Sequence, residues 1–357
     1  MLAGQEKAQL EALLRRVPKV ELHCHFVGSL RATTLLELAR QNGVALPTQD
    51  PRALYDLRDF YHFLSVLDAA AAALVRPADF ARAAYESLED GVRSGNLCYR
   101  ELFFNPGTHK ALGVSYPDQL EGLLDGIRAA ERDFGVRCRL IPSIDRRQPA
   151  SAATAMVEEV LAHRREEVIG IGMDYAERDG PPQRFVDAYR VAGKGGLRRT
   201  AHACEDNQTL AEAPPSNALV CLDELGCDRL DHGYNILADP AVVDRCRRDG
   251  VYFTVCSHTS NVHRTAARRA SIGRMLAAGL RLTLNTDDPA MFGTDVGDAY
   301  VSVFRELGLG LERARELSLN GVDACWLDGS DKRSLRLAFE RQLDELFEQF
   351  DAGSQPP

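Results

Sequence analysis

Eight short apolar runs punctuate the chain: Pro18 to Leu22, Cys98 to Phe104, Val136 to Ile141, Val168 to Met173, Leu197 to His202, Asp228 to His232, Tyr252 to Cys256 and Arg281 to Thr286. Each except the last gives way to a segment with helical periodicity. Such alternation pairs strands in parallel, because parallel neighbours need a crossover of a dozen or more residues and a helix supplies it. Eight units is the number that closes a (β/α)8 barrel, and a doubly wound open sheet is the alternative. Where the polar residues fall separates the two. They stand at the carboxyl ends of the first, fourth, fifth, sixth and eighth runs, and only a closed barrel brings ends so far apart in sequence around one mouth. The expected fold is therefore α/β, a (β/α)8 TIM barrel. We expect one domain over residues 1–357, with a helical insertion over 31–95 and a flexible tail over 353–357.

Charge and cysteine usage narrow the function classes. The net charge of −9 argues against a general nucleic-acid binder, which would show a basic face. The cysteines number nine, an odd count without a Cys-x-x-Cys, which fits reduced thiols in a cytoplasm better than a disulfide framework. The first residues, Met1 to Arg16, carry Glu6, Lys7, Glu11, Arg15 and Arg16 and no signal-peptide core, and no apolar run approaches a membrane span. No membrane or nucleic-acid partner is the expectation; the charge says nothing about a small polar substrate, and the oligomeric state stays open.

The ends of the runs carry the chemistry. The last one, Leu282 to Thr286, stops in Asp287-Asp288-Pro289. Strand residues alternate faces and proline removes a backbone donor, so the two carboxylates leave the strand in different directions, one toward a metal and one toward a substrate. The same tripeptide is good turn chemistry, and only the upstream histidines add weight. His23 and His25 are two apart on a strand and share a face, which suits a common zinc ion. His202 with Glu205 follows the fifth run and His232 the sixth. Three histidines and an aspartate from this group would hold zinc and leave a position for water, whose pKa then falls toward about 7. Glu205 could deliver a proton, and His232 could orient hydroxide or stabilise charge. His62, His109 and His163 read as surface or structural, and His258 as a residue that could line the mouth. Cys24, Cys204 and Cys256 read as small packing residues.

Together these segments resemble the adenosine and adenine deaminase family. They stand in family order as His23-Cys24-His25, His202-Ala203-Cys204-Glu205, Asp231-His232-Gly233 and Asp287-Asp288-Pro289, and the likeness covers residues 18 to about 330. The resemblance implies one zinc per chain on His23, His25, His202 and Asp287. It implies Glu205 as the acid that protonates ring nitrogen 1 of a 6-aminopurine, His232 and Asp288 as the groups that position the attacking hydroxide, and ammonia as the leaving group. The stretch Asp174-Tyr175-Ala176-Glu177, with Glu101 to His109 and Asp231, is more similar to the adenine-type branch.

The departures bear on substrate. Cys204 stands where the family usually has glycine, and Val27 stands where adenosine-type members have Asp and adenine-type members Glu. Val27, Glu177 and Asp288 are the expected substrate contacts, with an apolar wall at Val27 disfavouring plain adenosine. An adenosine or modified-nucleoside deaminase is the alternative. Two rivals remain: a two-metal hydrolase of an ester, amide or lactone, and a barrel that binds without catalysis. The first would need a bridging lysine on the fourth strand, where none stands between Val168 and Glu177, and the second would have lost part of the ligand set.

Overall fold

The structure, a computed structural model, describes residues 4–353. Helix α1 (Gly4–Arg16) leads into β1 (Lys19–His25). Two helices then lie over one end, α2 (Ala32–Gln41) and α3 (Phe60–Ala71), before α4 (Pro77–Gly95) returns the chain to β2 (Leu97–Phe104). Helices α5 (Pro106–Ala111) and α6 (Tyr116–Phe134) precede β3 (Arg137–Asp145), and α7 (Ala150–Ala162) precedes β4 (Gly170–Asp174). Helix α8 (Val186–Lys194) is followed by β5 (Arg198–Arg199) and β6 (His202–Ala203), then α9 (Ser216–Asp223), β7 (Leu230–His232), α10 (Pro240–Asp249) and β8 (Tyr252–Cys256). Helix α11 (Thr265–Ala277) leads to β9 (Arg281–Asn285), after which the chain is helical as α12 (Val296–Leu307), α13 (Leu311–Ala324) and α14 (Gly329–Gly353). Of the expected tail, residue 353 ends α14 and 354–357 lie outside the described residues.

All strand pairs are parallel, in the order β1-β2-β3-β4-β5 and β6-β7-β8-β9. The fifth run is thus two short strands. Thr200 N–H still bonds across to Ile171 O (3.1 Å) on one side, while Asp231 N–H bonds to Ala201 O (3.0 Å) on the other. The last strand meets the first through His25 N–H to Asp287 O (2.7 Å) and Asp287 N–H to His23 O (3.1 Å). The parallel α/β architecture read from the alternation is therefore observed, and these bonds are consistent with the eight-unit barrel. Within the 31–95 stretch, α4 packs on α6 and β2 as the ordinary crossover helix, so only α2, α3 and their loops cover the barrel end.

Parallel strands covered by helices bury both faces, and every residue of β1 is buried. Two of the buried charges inside, Glu21 and Arg100, are paired. Glu21 takes Arg100 Nε at 2.7 Å, and its other oxygen accepts Thr286 N–H (3.1 Å) and Oγ1–H (2.6 Å). A strand-one carboxylate thereby anchors the residue just before Asp287. No helix among the described residues is long and apolar enough to cross a membrane.

His109, expected to be surface or structural, is fully buried beside Phe80 (ring centroids 4.9 Å apart), and neither ring nitrogen has a partner among the described residues. Burial pushes its pKa from the ordinary 6.5 down to about 4. Unfolded chain takes up this proton below about 6.5 while folded chain does not until about 4, so stability falls as pH drops through that window, by up to about 1.4 kcal/mol per pH unit. His109→Leu is expected to remove this contribution. Chemical unfolding at pH 7 and pH 5 should show a smaller acid loss in the variant; equal losses would contradict it.

Candidate active site

The carboxyl ends of β1, β6, β7 and β9 carry the histidines and acids to one place. His23 and His25 leave β1 on the same side, with ring centroids 5.4 Å apart. Backbone bonds to both of these residues lodge Asp287 between them, in the left-handed region at φ 69°. Tyr175, Cys204 and His232 also have positive φ, so the strand ends around the site share an unusual backbone, at a cost of about 1–3 kcal/mol each.

Four donor atoms converge. His202 Nε2 lies 3.1 Å from His23 Nε2 and 3.1 Å from His25 Nε2, and Asp287 Oδ1 lies 3.1 and 3.3 Å from the same two nitrogens. Two facing nitrogens can share one proton at most, and His202 Nε2 faces two. Zinc bonds of about 2.0–2.1 Å in a tetrahedron put donors about 3.3 Å apart, a spacing that these four separations match, while His25 also groups with Asp287 and Asp288. The outer ring nitrogens agree. His23 Nδ1 is 3.0 Å from Thr254 Oγ1, which itself donates to Asp231 Oδ1 (2.7 Å) and so accepts from the ring. His202 Nδ1 faces Asp231 Oδ2 at 3.4 Å, and His25 Nδ1 faces Asp174 Oδ2 at 3.6 Å. An acceptor behind each ring leaves the Nε2 lone pair for a cation in front. His232 also lies within reach: its ring, with His23, His202 and Asp287, offers atoms within 4.8 Å of one another. It differs in what flanks it, because its Nε2 stands 3.8 Å from Glu205.

Glu205 is buried, and its Oε1 accepts from Asn207 Nδ2 (2.6 Å) and Arg268 Nη2 (2.7 Å). Burial pushes its pKa up to about 7, against the pull of Arg268. Both donors engage Oε1, so the proton that burial favours belongs on Oε2. Asp288 is buried with Oδ1 unpartnered among the described residues, and burial, together with the charge of Asp287, drives its pKa well above the usual carboxylate range even though His25 opposes. Only glycine fits opposite it, since a Cβ on Gly28 would sit 1.8 Å from Asp288 Oδ1.

A pocket of about 410 Å³, its mouth included, opens on these groups. Its polar side is formed by His25, Asp174, His202, Glu205, Asn207, His232, Asp287 and Asp288. The rest is apolar, with Phe60, Phe63, Leu64 and Leu67 from α3 facing Tyr175 and Phe292. Arg147 ties α3 down by donating to Asp68 (2.8 Å) while stacking on the Tyr175 ring at 3.7 Å.

Two expected substrate contacts do not reach this lining. Val27 turns into the apolar core and Glu177 is buried against Asn217 Nδ2 (2.9 Å). The chain leaves β1 at His25 into a 3-10 turn (Val27–Ser29), which breaks the alternation that would have kept Val27 on the face of His23 and His25; it leaves β4 through Tyr175 at φ 67° into another 3-10 turn that holds Glu177 (Glu177–Asp179). His258 is also absent from the lining and bonds instead to Ser257 Oγ and Arg269 Nη2, both at 2.8 Å. Asn207, Asp174 and Arg268 were not foreseen as site residues. The adjacency of Asn207 to Glu205 and of Asp174 to the fourth strand end was a usable signal, whereas nothing marks Arg268 among its neighbouring arginines.

Comparison with known proteins bears on the chemistry. The family model described as adenosine deaminase matches residues 18–340. An adenine deaminase of Geotalea uraniireducens is 34% identical over 348 residues, spanning 96% of this chain and 94% of its own length. One from Streptomyces coelicolor is 36% identical over 332 residues, spanning 92% and 95%. Among solved structures, an amidohydrolase from Burkholderia ambifaria with bound zinc superposes with a TM-score of 0.88 at 36% identity, covering 97% of this chain and 95% of that one. The adenine deaminase from Arthrobacter aurescens gives a TM-score of 0.84 at 30% identity, covering 93% and 99%.

Proposed function

The chain belongs to the adenosine deaminase family as a metal-dependent hydrolytic deaminase of a 6-aminopurine, and from that premise we propose that it converts adenine and water to hypoxanthine and ammonia. The observation that carries the choice of substrate is the pocket lining. Its polar groups are gathered at the histidine cluster. The remaining wall is aromatic and aliphatic, and among the described lining residues its one hydroxyl, on Tyr175, already donates to Asp68 (3.3 Å), so the wall offers the hydroxyls of a ribose little to bond.

We assign His23, His25, His202 and Asp287 as the groups that hold one zinc ion. When bound, zinc lowers the pKa of a coordinated water toward about 7, which supplies hydroxide at neutral pH. Glu205 gives a proton from Oε2 to ring nitrogen 1 of adenine, which draws electrons from carbon 6 and opens it to attack. Asp288 and His232 orient the attacking oxygen; one of the water's two protons passes to the 6-amino group, which leaves as ammonia, and the other restores the proton on Glu205. Arg268 and Asn207 hold Glu205 Oε1 throughout, so only its second oxygen exchanges protons. The nine free thiols fit a reducing compartment, and the cytoplasm is the location we assign.

Ammonia release from adenine and from adenosine tests the substrate. Each ribose hydroxyl buried without a partner costs about 1–3 kcal/mol, so kcat/KM for adenine is expected to exceed that for adenosine by one to two decades or more. Equal or greater efficiency on adenosine would replace this reading with that of a nucleoside deaminase.

A further inference from the structure

Tyr175 stands at the carboxyl end of β4 with φ 67°, a left-handed backbone that glycine takes freely and an aromatic residue takes at a cost. Such strain persists only where the surroundings hold the residue in place. Two neighbours do so. The Tyr175 hydroxyl donates to Asp68 Oδ1 (3.3 Å) on α3, and the Arg147 guanidinium lies over the ring at 3.7 Å. Arg147 in turn donates to both oxygens of Asp68 (2.8 and 3.1 Å) and to both oxygens of Asp145 (2.9 and 2.8 Å) at the end of β3. One clasp thus ties the ends of β3 and β4 to α3.

The ring and the guanidinium make a wall two layers thick, and each layer faces a different space. Tyr175 lines the pocket that opens on the histidine cluster, and Arg147 does not. Arg147, Asp68 and Asp145 instead line a groove of about 1370 Å³, its open side included, which Tyr175 does not reach. The ring runs outward: the preceding Asp174 is buried beside His25, whereas the Tyr175 hydroxyl ends on Asp68, whose side chain is 41% exposed. An adenine with carbon 6 at the metal donors and nitrogen 1 at Glu205 turns its five-membered ring, and so nitrogen 9, away from them. A ribose on nitrogen 9 must then pass toward the rim. We propose that Tyr175 is a specificity-determining residue, whose ring closes the base pocket against the outer groove and excludes purines that carry a sugar on nitrogen 9. This deepens the adenine reading and rests on it.

Ammonia release from adenine and from adenosine by zinc-loaded variants tests the proposal. Tyr175→Gly removes the ring where glycine suits the backbone, and it leaves the Arg147 guanidinium and the Asp68 carboxylate open to the pocket, where they can bond ribose hydroxyls. Adenine turnover should itself suffer, because the base loses a wall, so the quantity to read is the ratio of kcat/KM for adenosine to that for adenine. This ratio is expected to rise about tenfold to a hundredfold, mainly through a lower KM for adenosine. Tyr175→Phe keeps the ring and loses only the bond to Asp68, and its ratio should stay near that of the unmodified protein. An unchanged ratio in Tyr175→Gly, or an equal rise in Tyr175→Phe, would overturn the proposal. If Tyr175→Gly does not fold, Tyr175→Asn takes its place with the same expected rise, since asparagine is short and also tolerates the left-handed backbone. Failure of the deaminase reading is separate, because then the unmodified protein releases no ammonia from adenine.

Discussion

Glu205→Gln is expected to keep its metal and lose activity by about 10² to 10⁴-fold, the range for removal of a general acid–base group. The substituted amide can still accept from Asn207 and Arg268 through its oxygen, so the side chain stays where Glu205 lies. What it lacks is an acidic proton on the other atom. None of the four converging donors at the histidine cluster belongs to residue 205, and metal analysis should therefore match the unmodified protein. Steady-state kinetics with adenine and elemental analysis of the same preparation check both halves. A variant that lost its metal would show Glu205 to be a ligand or a support for one, and a variant with an undiminished rate would remove it from the reaction.

His25→Ala should act in the opposite order, on metal first and on rate as a consequence. His25 Nε2 is 3.1 Å from His202 Nε2 and 3.3 Å from Asp287 Oδ1, so its loss removes one corner of the donor set. Loss of an outer partner alone typically weakens a metal site by about 10 to 100-fold, and loss of a ligand should exceed that. Dialysed variant is expected to retain well below one equivalent of zinc, with turnover reduced in proportion or further. Full metal and full rate would show that the ion, if held, is held elsewhere, and His232 would then be the first replacement to examine, since it shares the cluster.

The groups most easily read from the sequence are those whose relation is local. His23 and His25 share a face because the strand period is two, and His202 and Glu205 lie on one turn. Their convergence followed from the count of strand–helix units, since a barrel brings the ends of its first, fifth, sixth and eighth strands together. The substrate wall was harder. Val27 would face the mouth with His23 and His25 had the strand continued, but the chain coils into a 3-10 turn immediately after His25. Glu177 stands beyond the left-handed Tyr175 in a 3-10 turn, where no strand period reports its direction. Arg268 reaches Glu205 from 63 residues away on α11, and no local pattern reports such a contact. The apolar cover from α3 was likewise invisible, because helical periodicity over 60–71 says which face is buried and not what it is buried against.

The most direct test is the fate of adenine in water enriched with oxygen-18. Zinc-loaded protein should yield hypoxanthine carrying one labelled oxygen and one equivalent of ammonia, with no product from protein stripped of metal and recovery on adding zinc back. Folded, metal-loaded protein that leaves adenine unchanged, or a product without the label, would contradict the account.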